Sequence, residues 1–305
     1  MMRAPKDLTE NKMKLFSRSC ARLLALSCAL LTCLPLQARE PRQIALPDSS
    51  VLRPADTGKR VRTHVRMLVP HGGHAVMNQN IQMTPSATGA PPAAGYAYQT
   101  PASLACVYEL VPVSGTCNPN RVTQVANGGG RAIAIVDAYH YPYAQNDLAR
   151  FSSQFGLPAA SLTVVYASGA RPPNNPGGWE LEAALDLQWA HATAPRAKLF
   201  LVEAASSNLA DMVAAVKVAA TLVQNAGGGE VSMSWGSGEF AAESNYDAAF
   251  SKTNVVFLAS SGDSAGTSWP CVSPNVVCVG GTTLRSSPSG DLLQEVAWDD
   301  GGSGF

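Results

Sequence analysis

From Arg131 onward, apolar and polar positions follow two alternating rhythms. Short apolar runs at Ala132–Val136, Leu162–Tyr166, Lys198–Val202, Val231–Ser234 and Val255–Ser260 read as strands, with a further candidate at Val276–Val279. Ala144–Phe155, Trp179–His191, Leu209–Gln224 and Ala241–Phe250 lie between them and read as helices. Such alternation predicts an α/β fold: a doubly wound, mostly parallel sheet with helices on both faces. Sites in these folds gather at the carboxyl ends of the strands. Asp137, Ser234-Trp235-Gly236 and Gly262-Asp263-Ser264 all fall at such ends. No internal repeat is present.

Trp179 to His191, WELEAALDLQWAH, is the most informative stretch. It follows the Pro/Gly/Asn-rich loop Arg171 to Gly178 and contains neither Gly nor Pro. Glu182 and Asp186 are four residues apart, so both carboxylates project from one helix face, between Trp189 and Ala190/Ala183. Leu181, Leu185 and Leu187 cover much of the remainder, and the helix is expected to be largely buried. Two acids in apolar surroundings cannot both ionise cheaply and tend to share a proton, one way to build an acid/base pair. The plainer alternative is a solvated acidic face with Glu180 as its third member.

The 305 residues are 46% apolar and 14% charged, with a formal net charge of +0. That balance, without a basic block, argues against a nucleic-acid partner. Met13 to Ala38 reads as a secretory signal: Lys12, Lys14, Arg18 and Arg22 precede the apolar run Leu23–Leu36, which is short of the ~20 residues of a membrane span. Met13 is a candidate start. The expected organisation is a signal over 1–38, a short propeptide or linker over 39–99, and a catalytic-type domain over 100–305, in a secreted or periplasmic protein without stable membrane insertion. Three of the seven cysteines lie in the signal; Cys106, Cys117, Cys271 and Cys278 remain. An even number in an exported chain suggests disulfides, and local pairing is the simplest of three connectivities. Neither pair has close zinc-type spacing. Arg39 to Tyr98 has one candidate strand, His64–Val69, and its histidines His64, His71 and His74 read as loop residues rather than a metal cluster.

Gly262-Asp263-Ser264-Ala265-Gly266 matches the G-x-S-x-G of a nucleophile elbow, which would make Ser264 an esterase nucleophile. That order needs a histidine downstream, and the last histidine is His191. Gly266-Thr267-Ser268 has no base assigned to it. A subtilisin-type order of Asp, His, Ser suits Asp137 at the end of the first strand, but Glu182 stands where the histidine is expected.

With an acid at that place, the chain resembles the sedolisins, the serine-carboxyl peptidases. The residues carrying the resemblance are Ala134-Ile135-Val136-Asp137-Ala138-Tyr139, Glu182-x-x-x-Asp186, Ser232-Met233-Ser234-Trp235-Gly236, Ser260-Ser261-Gly262-Asp263-Ser264 and Val279-Gly280-Gly281-Thr282-Thr283. It covers Thr100 to Phe305. It implies a subtilisin-like fold and hydrolysis of peptide bonds in acid. Glu182 would be the general base, Asp186 would share and orient its proton, and a protonated Asp263 would donate at the oxyanion hole. Ser234-Trp235-Gly236 would line a cleft that pairs with an extended peptide or unfolded protein. The bland readings are packing for Trp235 and a turn cap for Asp263. Glu180 does not fit the family spacing. The resemblance places the nucleophile in a G-T-S-x-x-x-P segment beyond the Gly-Asp-Ser turn, and Gly301-Gly302-Ser303-Gly304-Phe305 stops before it. The expectation is a truncated, monomeric chain with no nucleophile and no cofactor of its own, the family's calcium site falling beyond Phe305. A peptide-binding pseudopeptidase is the alternative.

Overall fold

In the computed structural model, residues 43–69, 99–111, 117–119, 128–175, 178–287, 289–299 and 301–302 are described. The leading segment contributes β1 (Gln43–Ala45), β2 (Arg62–Thr63) and β3 (Met67–Val69). Helix α1 (Pro101–Val107) follows, then β4 (Ala132–Ala138), α2 (Ala144–Phe155), β5 (Ser161–Tyr166) and α3 (Trp179–Thr193). β6 (Lys198–Ala204), α4 (Leu209–Asn225), β7 (Gly229–Met233), β8 (Trp235–Gly236) and β9 (Val255–Ser260) continue the alternation. β10 (Val277–Val279), β11 (Thr282–Ser286) and β12 (Leu292–Ala297) end it.

Six strands form a parallel sheet in the order β10-β9-β7-β4-β6-β5. The chain starts at β4, passes to β5 at one edge, returns inward to β6 beside β4, then crosses to β7 on the other side of β4 and continues outward to β9 and β10. The direction of winding therefore reverses beside β4, where a doubly wound sheet opens a crevice at its carboxyl edge. β4 is central, and its side chains divide the core. Ala134, Val136 and Ala138 face α4, packing with Val202, Val216 and Phe257. Ile135 faces the other way, with Leu199 and Leu201, against Leu148 of α2 and Leu187 of α3. This period-2 split is what a sheet covered on both faces requires. Strand β7 approaches β4 so closely at Gly229 that a Cβ there would lie 1.9 Å from the Ala132 carbonyl oxygen, and the glycine sits at φ +146°. Only glycine permits that contact.

The structure moves several expected boundaries. Helix α3 is not buried all round: Leu181 is 39% and Leu185 46% exposed, while Glu182, Ala183 and Leu187 face inward. The acidic side of the helix is thus its buried side, and two leucines meet solvent. Ala241–Phe250 is expected as an α-helix and is a 3-10 helix over Glu243–Phe250. Helix α1, which composition hides among small residues, starts on a capping box between Thr100 and Ser103 behind Pro101. The β11–β12 hairpin also lies outside the expected elements. Val255 begins β9 as expected, but Ser260 leads into a loop and then β10, with no helix after the Gly-Asp-Ser turn. The strand-turn-helix context of a nucleophile elbow is therefore missing around Ser264. The cysteines pair locally, Cys106 with Cys117 and Cys271 with Cys278.

Candidate active site

The acid pair sits where the winding reverses. Gly178 opens α3 at φ +117°, and its lack of a side chain admits Pro47 and Ser49 of the leading segment against the helix start. One turn on, Glu182 is buried. Burial, followed by Asp186, Asp137 and Asp263, raises its carboxyl well above the ordinary glutamate value; a hydrogen bond from the His64 backbone opposes this. Asp186 accepts a 2.9 Å hydrogen bond from the Ser234 hydroxyl at the end of β7. Burial pushes its carboxyl up to about 7, against the opposing effect of that bond. Oε2 of Glu182 and Oδ2 of Asp186 are buried without hydrogen-bond partners among the described residues. Protonated carboxyls in a dry site satisfy this geometry better than two carboxylates.

Behind the pair, Asp137 at the end of β4 is 1% exposed, with neither carboxyl oxygen partnered. Burial, then Asp186, then Glu203 holds it well above the usual carboxylate range. Glu203 lies opposite in register on β6 and is fully buried. It accepts from the Tyr141 backbone N–H at 3.0 Å and meets His140 Nδ1 at 2.8 Å. The site therefore rests on a buried acidic cluster in which Glu203 has partners and Asp137 has none.

The remaining expected residues separate into backbone and side-chain roles. The indole of Trp235 is fully buried and donates to the Val136 carbonyl at 2.7 Å, so its side chain packs the core and pins β8 to β4. The backbone of Trp235 and Gly236 is buried as well, beneath the leading segment. It pairs antiparallel with β2, Arg62 opposite Gly236 and Thr63 opposite Trp235. Asp263 stands on the loop after β9, with its backbone oxygen accepting from Arg66 and its carboxylate 3.8 Å from the same guanidinium. Ser264 has no part in this geometry. At the far end of the chain, the Gly302 N–H donates to the Gly262 carbonyl at 3.1 Å, returning the chain to the same loop.

Sequence reasoning missed His64. It considers this residue for a metal cluster, and His71 and His74 lie outside the described residues. Among the described residues, no group of three or more His, Cys, Asp or Glu side chains could hold a metal ion. His64 instead follows β2 into the site. Its Nδ1 lies 3.1 Å from the Ser260 hydroxyl. Burial, reinforced by Arg62 and Arg66, lowers its imidazole to about 3. The available signal was the polar β-branched run Arg60-Val-Arg-Thr-His-Val-Arg66 inside a Pro/Gly-rich segment.

The chain is 29% identical over 197 residues to kumamolisin from Bacillus sp. (strain MN-32), a match covering 58% of this chain and 35% of the relative. The chain is similar to the sedolisins in part of its sequence and in its fold. A solved structure titled Pseudomonas sedolisin (serine-carboxyl proteinase) complexed with two molecules of pseudo-iodotyrostatin shares the fold. Its TM-score is 0.53 at 22% identity, over 66% of this chain and 58% of that one. No family model matches the chain. The sedolisin-like chain thus spans about a third of the length of the curated relative it matches. No helix among its described residues is long and apolar enough to cross a membrane.

Proposed function

We propose that this sedolisin-like chain is a serine-carboxyl peptidase-type protein, exported to the periplasm or beyond, that acts on peptides or unfolded proteins in acid. Glu182 is the general base toward a serine hydroxyl. Asp186 shares and orients its proton, and Ser234 fixes Asp186. Asp263 donates a hydrogen bond to the developing oxyanion, which requires its acid form. The backbone of Ser234-Trp235-Gly236 holds the peptide as an added strand. We assign no nucleophile to a residue of this chain and no cofactor.

The observation carrying this reading is buried Glu182 together with the buried Oδ2 of Asp186 beside β8, an edge that already holds an extended segment antiparallel. A second reading is peptide binding without turnover. It is favoured by the hydroxyl on the acid pair, which is that of Ser234 at Asp186 rather than one at Glu182. One experiment separates the two readings: the protein carrying the family's G-T-S-x-x-x-P serine, incubated with an unfolded protein at acid and neutral pH, beside its Glu182→Gln form. Acid cleavage abolished in the variant supports the peptidase. Peptide binding without cleavage supports the second reading. Neither binding nor cleavage overturns both.

A further inference from the structure

The segment lying on β8 is also a record of what the cleft accepts. Residues 62–66 read Arg-Thr-His-Val-Arg. Thr63 turns away from the sheet and bonds Ser49 and Ser50, at 2.7 and 2.8 Å, within its own leading segment. His64 is different, because its ring meets Ser260, Gly236 and Gly262 of the body of the site. Ser260 Oγ, at the end of β9, meets Nδ1 at 3.1 Å. Two glycines form the walls. A Cβ at Gly236 would lie 3.3 Å from His64 Cε1, and one at Gly262 would lie 3.4 Å from Nε2. The first spacing is tighter than ordinary side-chain contact and the second is van der Waals contact, so the two glycines leave the width of one planar ring. The Nε2 atom is buried without a partner among the described residues. Two residues on, Arg66 reaches Asp263 through its backbone oxygen and its carboxylate.

Resting on the peptide-cleft reading above, we propose that Ser260, Gly236 and Gly262 form a subsite selective for an imidazole side chain, so that the preferred ligands are peptides with histidine at that position and a basic residue two positions later. The glycines admit a flat ring and Ser260 supplies the polar partner, while the Asp263 backbone oxygen accepts from the basic residue. The ring binds neutral, since Arg62 and Arg66 flank the pocket and burial opposes a further positive charge, so the preference weakens as pH falls below the free imidazole's value. An aliphatic side chain would leave the Ser260 hydroxyl unmatched, and a phenol would need more depth.

Two arms test this on the full chain. In the first, His64→Gly vacates the pocket while leaving the rest of the segment, and free 4-methylimidazole is titrated at mildly alkaline pH, where it is neutral, beside p-cresol. Saturable thermal stabilisation by 4-methylimidazole alone, lost in His64→Gly/Ser260→Ala, is expected. No stabilisation, or equal stabilisation by p-cresol, overturns the subsite. In the second arm, His64→Gly/Thr63→Pro loosens the strand, and labelled Arg-Val-Arg-Thr-His-Val-Arg is compared with its His→Ala form by fluorescence anisotropy. A preference of about ten-fold, the size of one hydrogen bond, is expected, collapsing in Ser260→Ala. Equal binding of both peptides overturns the selectivity and leaves the cleft reading standing. Binding of neither by a variant with native circular dichroism overturns the cleft reading. If that variant does not fold, the first arm decides alone.

Discussion

Replacing Asp186 by Asn should stabilise this protein at neutral pH and leave it nearly unchanged in acid. The carboxyl has an ordinary value of 3.8 and is pushed up to about 7 by burial in the folded chain. A raised acid favours folding only while it is protonated. Its contribution is complete below the unfolded value and is lost as pH rises through the folded one. At pH ~7 the cost of holding Asp186 in its site is about 4 kcal/mol, from ~3 units at 1.36 kcal/mol each. Asn keeps an acceptor for the Ser234 hydroxyl, which now bonds Asp186 Oδ1. It also removes one of the charges that raise Glu182 and Asp137. A pH scan of the unaltered chain would obscure the effect. His64, lowered to about 3, works in the opposite sense. Its stabilisation is complete above the unfolded value of 6.5 and is lost as pH falls toward 3. The comparison must therefore be between variant and parent at each pH. In urea unfolding the variant's midpoint should exceed the parent's by more than about 1 M at pH ~7, and by a small fraction of that at pH ~4. Equal displacement at both values, or a variant weaker at neutral pH, would refute the reasoning.

Other perturbations probe the supports of the site. Trp235→Phe removes the donor to the Val136 carbonyl and should cost about 1–3 kcal/mol in chemical denaturation, with the β8 amides exchanging faster by hydrogen-exchange mass spectrometry. Glu203→Ala leaves the Tyr141 N–H and His140 without their buried acceptor, and a loss of about 3–5 kcal/mol is expected; a loss below 1 kcal/mol would mean that water replaces the carboxylate. Reducing the disulfides, whose sequence separations are 11 and 7, should cost about 2–3 kcal/mol each. Peptide mapping of the unreduced protein should return Cys106 with Cys117 and Cys271 with Cys278.

The order of strands and helices from Ala132 to Ser260 was legible in the sequence because each element carries its own periodicity. Ala144–Phe155 and Val255–Ser260 are found at the expected bounds. The Glu182–Asp186 spacing was equally local, since a helix fixes which side chains share a face. Which face would be buried was not local. Leu181 and Leu185 are exposed because α3 turns its acids toward the end of β4 and β7, and only the packing of the sheet sets that rotation. The roles within Ser234-Trp235-Gly236 likewise needed three dimensions: the Ser234 hydroxyl finds Asp186, the Trp235 indole goes to the core, and Gly236 presents its backbone. His64 was the hardest to foresee. It lies 196 residues from Ser260, and the run around it carries no sign of that partner. Local pattern determined the elements and the pair of acids. Tertiary structure decided their protonation and their partners, because burial and proximity across the sheet depend on residues far apart in the chain.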